Sequence, residues 1–497
     1  MIQLINKEKI KEQMKRYKNY FSLTASQIGN TFVLHTLLGL TSSLYTFVLK
    51  IEYLHMYILL YGLYHFITIV EEPIVGLISD RLCFKKFKRR SFMIVGNIFM
   101  AISLITLTLA CFVPVVKDEG SESVSLIESM NGNEQKELSD YSYTIIIPFL
   151  ASLIGFISFA FIDVSSRSIV LDIVDSEFHF EANCVGSMNS SLFQIIFYLF
   201  AALFHTETVF YPIMIMISLI ILIITTVVTC IFANENTDER LMLIDDGTGD
   251  SCSSDTELDS IYLRGNGKQT FSSKIRHCLT YIPGKLWLSL IFIFFAMAAY
   301  GCLPLNFTVF YKNCIFKSDE TESNNNAISH TLYSMVVLYT SQTICSFIIS
   351  FCKKIINIIA MLACVLGLSS FICYLVILYT VDTENIQDYV IGISYIPPIV
   401  LGFVFACMYT LPYSVIKQLM FAKDYGMAVS LTSAFCHMGF FVSSWVSIFI
   451  SEYYHDMTEL VIYYQIIMGF VVCVIAFPIL FYVNPLKKST SSIQKLL

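Results

Sequence analysis

Twelve apolar runs leave this chain few ways to fold. A hydrocarbon core of about 30 Å needs about 20 apolar residues in a helix rising about 1.5 Å per residue. Runs of that order fall at 24–48, 56–79, 92–115, 143–168, 184–204, 210–232, 286–310, 328–351, 355–379, 390–414, 427–450 and 460–483. Lipid offers backbone N–H and C=O groups no partner, so each run is expected to be a helix and the chain an all-α polytopic membrane protein. Charged residues are only 14% of the sequence, against about 25% in soluble domains. Two runs are semi-polar: 184–204, with Asn189, Ser190, Ser191 and Gln194, and 427–450, with Ser430, Thr432, Ser433 and His437.

The basic residues orient the spans. With the N-terminus in the cytosol, 25 of the 31 Lys and Arg fall on the inner side, five (Lys50, Lys117, Lys136, Lys312 and Lys317) on the outer side, and one, Arg167, inside a helix. The positive-inside rule therefore predicts both termini in the cytosol. The first 20 residues are basic but lead into no short apolar core with a small-residue cleavage site, so the first span is read as an anchor. Most of the 15 cysteines sit within spans and read as small apolar fillers, Cys314 being the one clearly in an outer loop.

Residues 233–283 interrupt the pattern with an acidic Gly/Ser/Asp-rich stretch, expected to be a disordered cytosolic linker. The organisation expected is a tail at 1–20, a six-helix bundle at 21–232, the linker, a second bundle at 284–485 and a tail at 486–497. A second polar insert, 117–142, lies on the outer side. Within the linker, "ERLMLI" (239–244) fits an acidic dileucine sorting pattern, which also arises by chance.

One short block, "GLISDRLCFKKFKRRSF" (76–92), packs one acid and six bases between spans 2 and 3. Anchoring at the inner face accounts for the bases, but not for Gly76 and Asp80 ahead of them. Gly76 lets helices approach closely. Asp80 ends its helix where the dipole disfavours an anion, so it needs a basic side chain or the N-terminus of a neighbouring helix. Such a cluster could latch the inner face in one state and release it in another.

The order Gly76, Ser79, Asp80, Arg81, six residues, then Lys88, Arg89, Arg90 and Phe92 resembles the loop of the sucrose-transporter branch of the glycoside-pentoside-hexuronide symporters, within the major facilitator superfamily. Phe87 and Ser91 stand where that family carries Gly and Pro. "DVSSRSIVLDIV" (163–174) is similar to the family's fourth helix, with Arg167 five residues before Asp172. "ACMYTLPYSVI" (406–416) is similar to its tenth. The resemblance implies the major facilitator fold, twelve helices in two six-helix bundles, and a proton-coupled carrier of sucrose or another small sugar. The family's acidic position in the fourth helix falls here at Phe156 or Ala160, so its usual coupling carboxylate is not found there.

Ionisable groups inside the bilayer are costly and call for a role. Asp163 and Arg167, four apart, share a helical face. They form either an internal ion pair or a cavity site in which Arg167 donates to substrate hydroxyls or to a coupling carboxylate. Glu71 and Glu72 point about 100° apart, so one is expected to face a cavity as a proton carrier, or to pair with Arg81 or a neighbouring helix. His35 is either a coupling group or a buried, hydrogen-bonded histidine. Asn306, Gln342 and His437 are candidate sugar contacts or interhelical bonds; Tyr45, Tyr300 and Tyr413 are candidate stacking residues. No metalloprotease, phosphate-loop or nucleophile-elbow motif occurs. The sequence is therefore read as a non-enzyme with no cofactor, metal or nucleic acid. Its expected partners are a solute, protons and the bilayer; the plasma membrane is expected ahead of endosomal, lysosomal or vacuolar membranes, and oligomeric state is left open. Carriage of a non-sugar solute, or a sensor or scaffold role without flux, are the competing readings.

Overall fold

A computed structural model of the chain describes residues 14–40, 62–81, 88–110, 114–115, 124–125, 142–175, 177–204, 210–233, 282–301, 307, 310–316, 321–352, 356–380, 387–420, 425–453 and 458–482. Its α-helices are α1 Ala25–His35, α2 Leu63–Arg81, α3 Lys88–Ala110, α4 Ser142–Ile173, α5 His179–Phe204, α6 Phe210–Phe232, α7 Gly284–Tyr300, α8 Thr321–Ser350, α9 Ile356–Thr380, α10 Gln387–Ser394, α11 Ile396–Leu419, α12 Tyr425–Tyr453 and α13 Thr458–Tyr482. π-helical turns follow α1 (Thr36–Leu40) and precede α8 (Tyr311–Phe316). A two-residue antiparallel pairing joins Pro114–Val115 to Val124–Ser125, a local departure from the helices that dominate the described residues.

Each expected span overlaps a described helix; residues 41–48 of the first, 56–61 of the second, 111–113 of the third, 302–306 and 308–309 of the seventh, 355 of the ninth and 483 of the last fall outside the described part. Among the described residues eight helices are long and apolar enough to cross a membrane, and Gly284–Tyr300 and Leu460–Ala476 are shorter apolar ones. The α2 helix is less apolar because it carries Glu71, Glu72, Asp80 and Arg81. The outward faces are the greasy ones: Ile98, Ile102, Ile105 and Leu109 on α3, and Ile220, Ile224, Val227 and Ile231 on α6, are exposed at helical spacing. A soluble protein inverts this pattern, so lipid is the natural solvent here. Hydroxyls inside the helices are satisfied by the preceding turn, as Thr68 Oγ1 donating to the Tyr64 carbonyl (2.9 Å) and Ser218 Oγ to that of Met214 (2.7 Å).

Helices α1–α6 pack as one bundle, with α3 against α4 and α6, α1 against α5 and α6, and α2 against α4. Helices α7–α13 pack as another, with α7 against α12 and α13, α9 against α11 and α13, and α8 against α11. The bundles meet along two antiparallel seams, α2 with α12 and α5 with α8.

Candidate functional site

The α2–α12 seam begins at the end carrying the basic block, here called the basic face. The α12 N-terminus presents unpaired N–H groups and the positive end of a helix dipole. Asp80 fills that position: its Oδ1 accepts from the Gly426 amide at 2.9 Å and its Oδ2 from the Met427 amide at 2.8 Å. Arg89, fully buried, donates from Nη2 to Asp80 Oδ1, from Nη1 to Ser79 Oγ and from Nε to Asp172 Oδ2 at 3.0 Å. Asp80 thus receives both kinds of partner its position demands. Two glycines allow the approach. A Cβ on Gly76 would lie 2.2 Å from Ser430 Oγ and 2.6 Å from the Gly426 carbonyl oxygen, and one on Gly426 would lie 2.4 Å from Arg89 Nη1.

Asp172 sits here, not beside Arg167. Five residues carry a helix about 7.5 Å along its axis, which delivers Asp172 to Arg89 at the basic face, away from the Asp163–Arg167 pair with which the sequence grouped it. Arg90 Nη1 donates to the Cys230 carbonyl at 3.1 Å, joining α3 to α6. The side chains of Arg81 and Lys88 and the whole of Phe87 lie outside the described residues.

Farther along the seam, Glu72 is fully buried and faces α12. Its Oε1 accepts from Ser433 Oγ at 2.8 Å and lies 3.4 Å from His437 Nε2. The other side of the His437 ring meets α2 again, Nδ1 to Nδ1 of His65 at 3.0 Å. His65 stacks on Phe440, with ring centroids 5.2 Å apart. Glu71 is half-buried, and among the described residues its buried Oε2 has no hydrogen-bond partner.

Asp163 and Arg167 project from α4 between the bundles. Arg167 Nε donates to Asp163 Oδ2 at 2.8 Å, and Asn30 Nδ2 donates to Asp163 Oδ1 at 3.1 Å. The Arg167 guanidinium carbon lies 4.4 Å from the centroid of the Tyr413 ring, on α11 of the opposite bundle. Among the described residues, none bonds its two terminal nitrogens, and its side chain remains 21% exposed.

The α5–α8 seam is a ladder of hydroxyls and amides. Ser187 Oγ lies 3.0 Å from Ser346 Oγ and accepts from Gln342 Nε2 at 3.3 Å, while Thr343 Oγ1 donates to Ser191 Oγ at 2.8 Å. At the basic face Tyr17 Oη meets Ser350 Oγ at 2.8 Å. Farther from that face, Tyr198 and Tyr339 stack with centroids 5.5 Å apart. His35 abuts both rings and bonds Gln194 through Nε2 (2.6 Å) and Tyr198 through Nδ1 (2.8 Å). Tyr300 belongs to the second bundle's core, stacked on Phe371 with its hydroxyl donating to the Cys364 carbonyl at 3.1 Å. Asn306 and Tyr45 lie outside the described residues.

Sequence reasoning singled out neither His65 nor Asn30, and it marked Ser191 only as a polar residue of its span, without its partner across the seam. A helical-spacing signal was present: His65 and Glu72 are two turns apart, as are Ser430 and His437, so each pair shares a face.

No protein-family model and no curated protein matches the chain. Solved structures do. A D-xylose–proton symporter aligns over 93% of this chain and 97% of its own, at 12% identity and TM-score 0.58. The proton:xylose symporter XylE bound to 6-bromo-6-deoxy-D-glucose aligns over 93% and 96%, at 12% identity and TM-score 0.59. The human organic anion transporter MFSD10 (TETRAN) aligns over 93% and 99%, at 11% identity and TM-score 0.56. At such identities the likeness is one of architecture, and the architecture is the major facilitator fold.

Proposed function

We propose that this chain is a secondary active transporter that moves sucrose or another small sugar across a membrane by alternating access, coupled to protons. The observation that carries the reading is Arg167. It is a charge in the membrane, held by one nitrogen to Asp163 and placed over the Tyr413 ring of the other bundle, with its remaining fork unclaimed among the described residues. A planar fork and an aromatic face are what a polyhydroxylated ring needs: paired donors for adjacent oxygens and a surface for its C–H face. Because Arg167 and Tyr413 come from different bundles, a solute between them would feel both and link binding to bundle motion.

Both seams are shut at the basic face, by the Asp80–Arg89 cluster on one side and by Tyr17 with Ser350 on the other. With the basic face in the cytosol, this is the state closed to the cytosol. A tag at residue 255 and one at the C-terminus should then be reachable only from the cytosol, and one at residue 130 only from outside; tags at 130 and 255 reporting the same side would defeat the orientation.

The function is tested with purified full-length protein in liposomes and a panel of radiolabelled sucrose, hexoses, pentoses, amino acids and organic anions, with and without a pH gradient. Uptake of a sugar, enhanced by an inwardly directed proton gradient, is the expected result. Uptake of a non-sugar that no sugar competes with would overturn the substrate class, and absence of flux for every solute would overturn the transporter.

A further inference from the structure

Asp163 is committed. One oxygen takes Arg167 Nε and the other the Asn30 amide, so both are engaged, one of them by a fixed cation. Among the described residues Glu71 and Glu72 both lack such a cation and both have an Oε2 with no hydrogen-bond partner, but Glu72 is the fully buried one and meets the opposite bundle. The basic group against it is a histidine, which is charged only when protonated. A buried carboxyl group in that setting is stable in two forms: protonated, or ionised against an imidazolium. Both forms contain the same proton.

We propose that Glu72, His437 and His65 form the proton-coupling site of this transporter, a relay that holds one exchangeable proton while the α2–α12 seam is closed and releases it when the seam opens. The inference rests on the transporter reading and gives that reading its coupling group.

The geometry supplies each step. Glu72 and His65 belong to α2 and His437 to α12, so the relay exists only while the bundles touch. In the closed seam the Glu72 proton lies toward His437 Nε2 at 3.4 Å, and His437 Nδ1 shares a hydrogen with His65 Nδ1 at 3.0 Å. Moving the proton from Glu72 Oε1 to His437 Nε2 breaks an O–H bond and forms an N–H bond; the three residues stay neutral in sum. When the seam parts, the Glu72 O–H bond or its His437 N–H equivalent breaks, the proton passes to entering water, and a hydrated carboxylate remains. Reclosure desolvates that carboxylate and requires a proton to be taken up first. Proton occupancy and seam closure are therefore the same event read two ways.

Among the described residues, the groups facing the relay from its neighbours do not supply a competing cation. Tyr64 and Glu71 lie on α2 itself, Asp163 faces Glu72 from α4, Cys436 sits beside His437 on α12, and Tyr409 and Tyr413 approach from α11. Arg167, the cation of this region, is bound to Asp163.

The test needs no solute. Nitroxide labels on non-natural ketone side chains replacing the exposed residues Ile78 and Ile358, one in each bundle near the basic face, report the gap by pulsed electron resonance in full-length protein in liposomes at pH 5.5 and 8. Raising the pH should lengthen the distance in the parent protein. Glu72→Gln, which mimics the protonated acid, should abolish that pH-dependent shift and hold the short distance, and the pH-difference infrared spectrum should lose its protonated-carboxyl band. Asp163→Asn should keep the shift. His437→Gln, a second route to the same loss, should also abolish it. A normal shift in Glu72→Gln, or its loss in Asp163→Asn with Glu72→Gln unaffected, would overturn the proposal. Failure of the transporter reading would show separately, as no flux for any solute while the Glu72-dependent shift persists.

Discussion

Replacing Arg167 with lysine is expected to lower solute flux by at least about tenfold while leaving the protein in the membrane. Lysine keeps the charge, and so keeps Asp163 neutralised, but it gives up two things the geometry uses. The guanidinium contact over the Tyr413 ring at 4.4 Å is lost; a desolvated cation–π contact is worth about 2 kcal/mol. The planar fork is lost as well, and an ammonium tied to Asp163 has no second, coplanar donor for a solute. A loss of about 1.4 kcal/mol in the transport transition state is already a factor of about ten. The measurement is the initial uptake rate for the solute that the panel identifies, divided by surface abundance. The control is the charge-free pair Asp163→Asn with Arg167→Gln. If lysine retains most activity and the charge-free pair transports too, Arg167 is scaffold and the solute site lies elsewhere.

The seams explain which parts of this site were legible in the sequence. Span positions were readable because lipid imposes a length and a composition on every helix that crosses it, and α6 falls where its apolar run does, at 210–232. Asp80 was readable as a residue in want of partners, because a carboxylate at a helix C-terminus is locally wrong and so must be right for a neighbour. The identity of that neighbour, the α12 amides, was not readable, since backbone N–H groups carry no sequence signature. The partner of Asp172 was not readable, because spacing along a helix fixes which residues share a face, but not which helix each face meets. His65 was missed for a related reason. A lone histidine in an apolar run looks like a satisfied core residue, and only its two-turn spacing from Glu72, set against the polar stripe Ser430, Ser433 and His437, hints at a shared seam.

That stripe runs antiparallel to α2 in a continuous register. Asp80 meets Gly426, Gly76 meets Ser430, Glu72 meets Ser433, His65 meets His437 and Phe440, and Gly62 meets Trp445. Small residues let the backbones close, and the charged or titratable groups lie between them. Such a seam is bistable: its polar groups are satisfied when it is fully shut or fully hydrated, and costly in between.

Asp80→Asn is expected to release the basic face of this seam. The asparagine can still accept one α12 amide, but Arg89 loses one of its two carboxylates while fully buried, and removing one partner of a buried ion pair typically costs about 3–5 kcal/mol. The penalty falls on the closed state, because in the open state water can reach Arg89. A bias of about 3 kcal/mol shifts a two-state population on the order of 100-fold, so the protein should insert normally, dwell open at the basic face and turn over slowly. Gly76→Val should do the same by bulk alone, since even a Cβ there meets Ser430 Oγ at 2.2 Å and the Gly426 carbonyl oxygen at 2.6 Å. The chain carries its own reporter. Cys184 on α5 is 1% exposed, packed near the basic face against Ile349 and Cys407 of the opposite bundle. Its alkylation by a water-soluble maleimide, read by peptide mass spectrometry, should be slow in the parent protein and faster in both variants, because a buried thiol reacts only when water reaches it. Normal turnover with unchanged Cys184 labelling in Asp80→Asn would show that the cluster is an anchor at the membrane surface and not a gate.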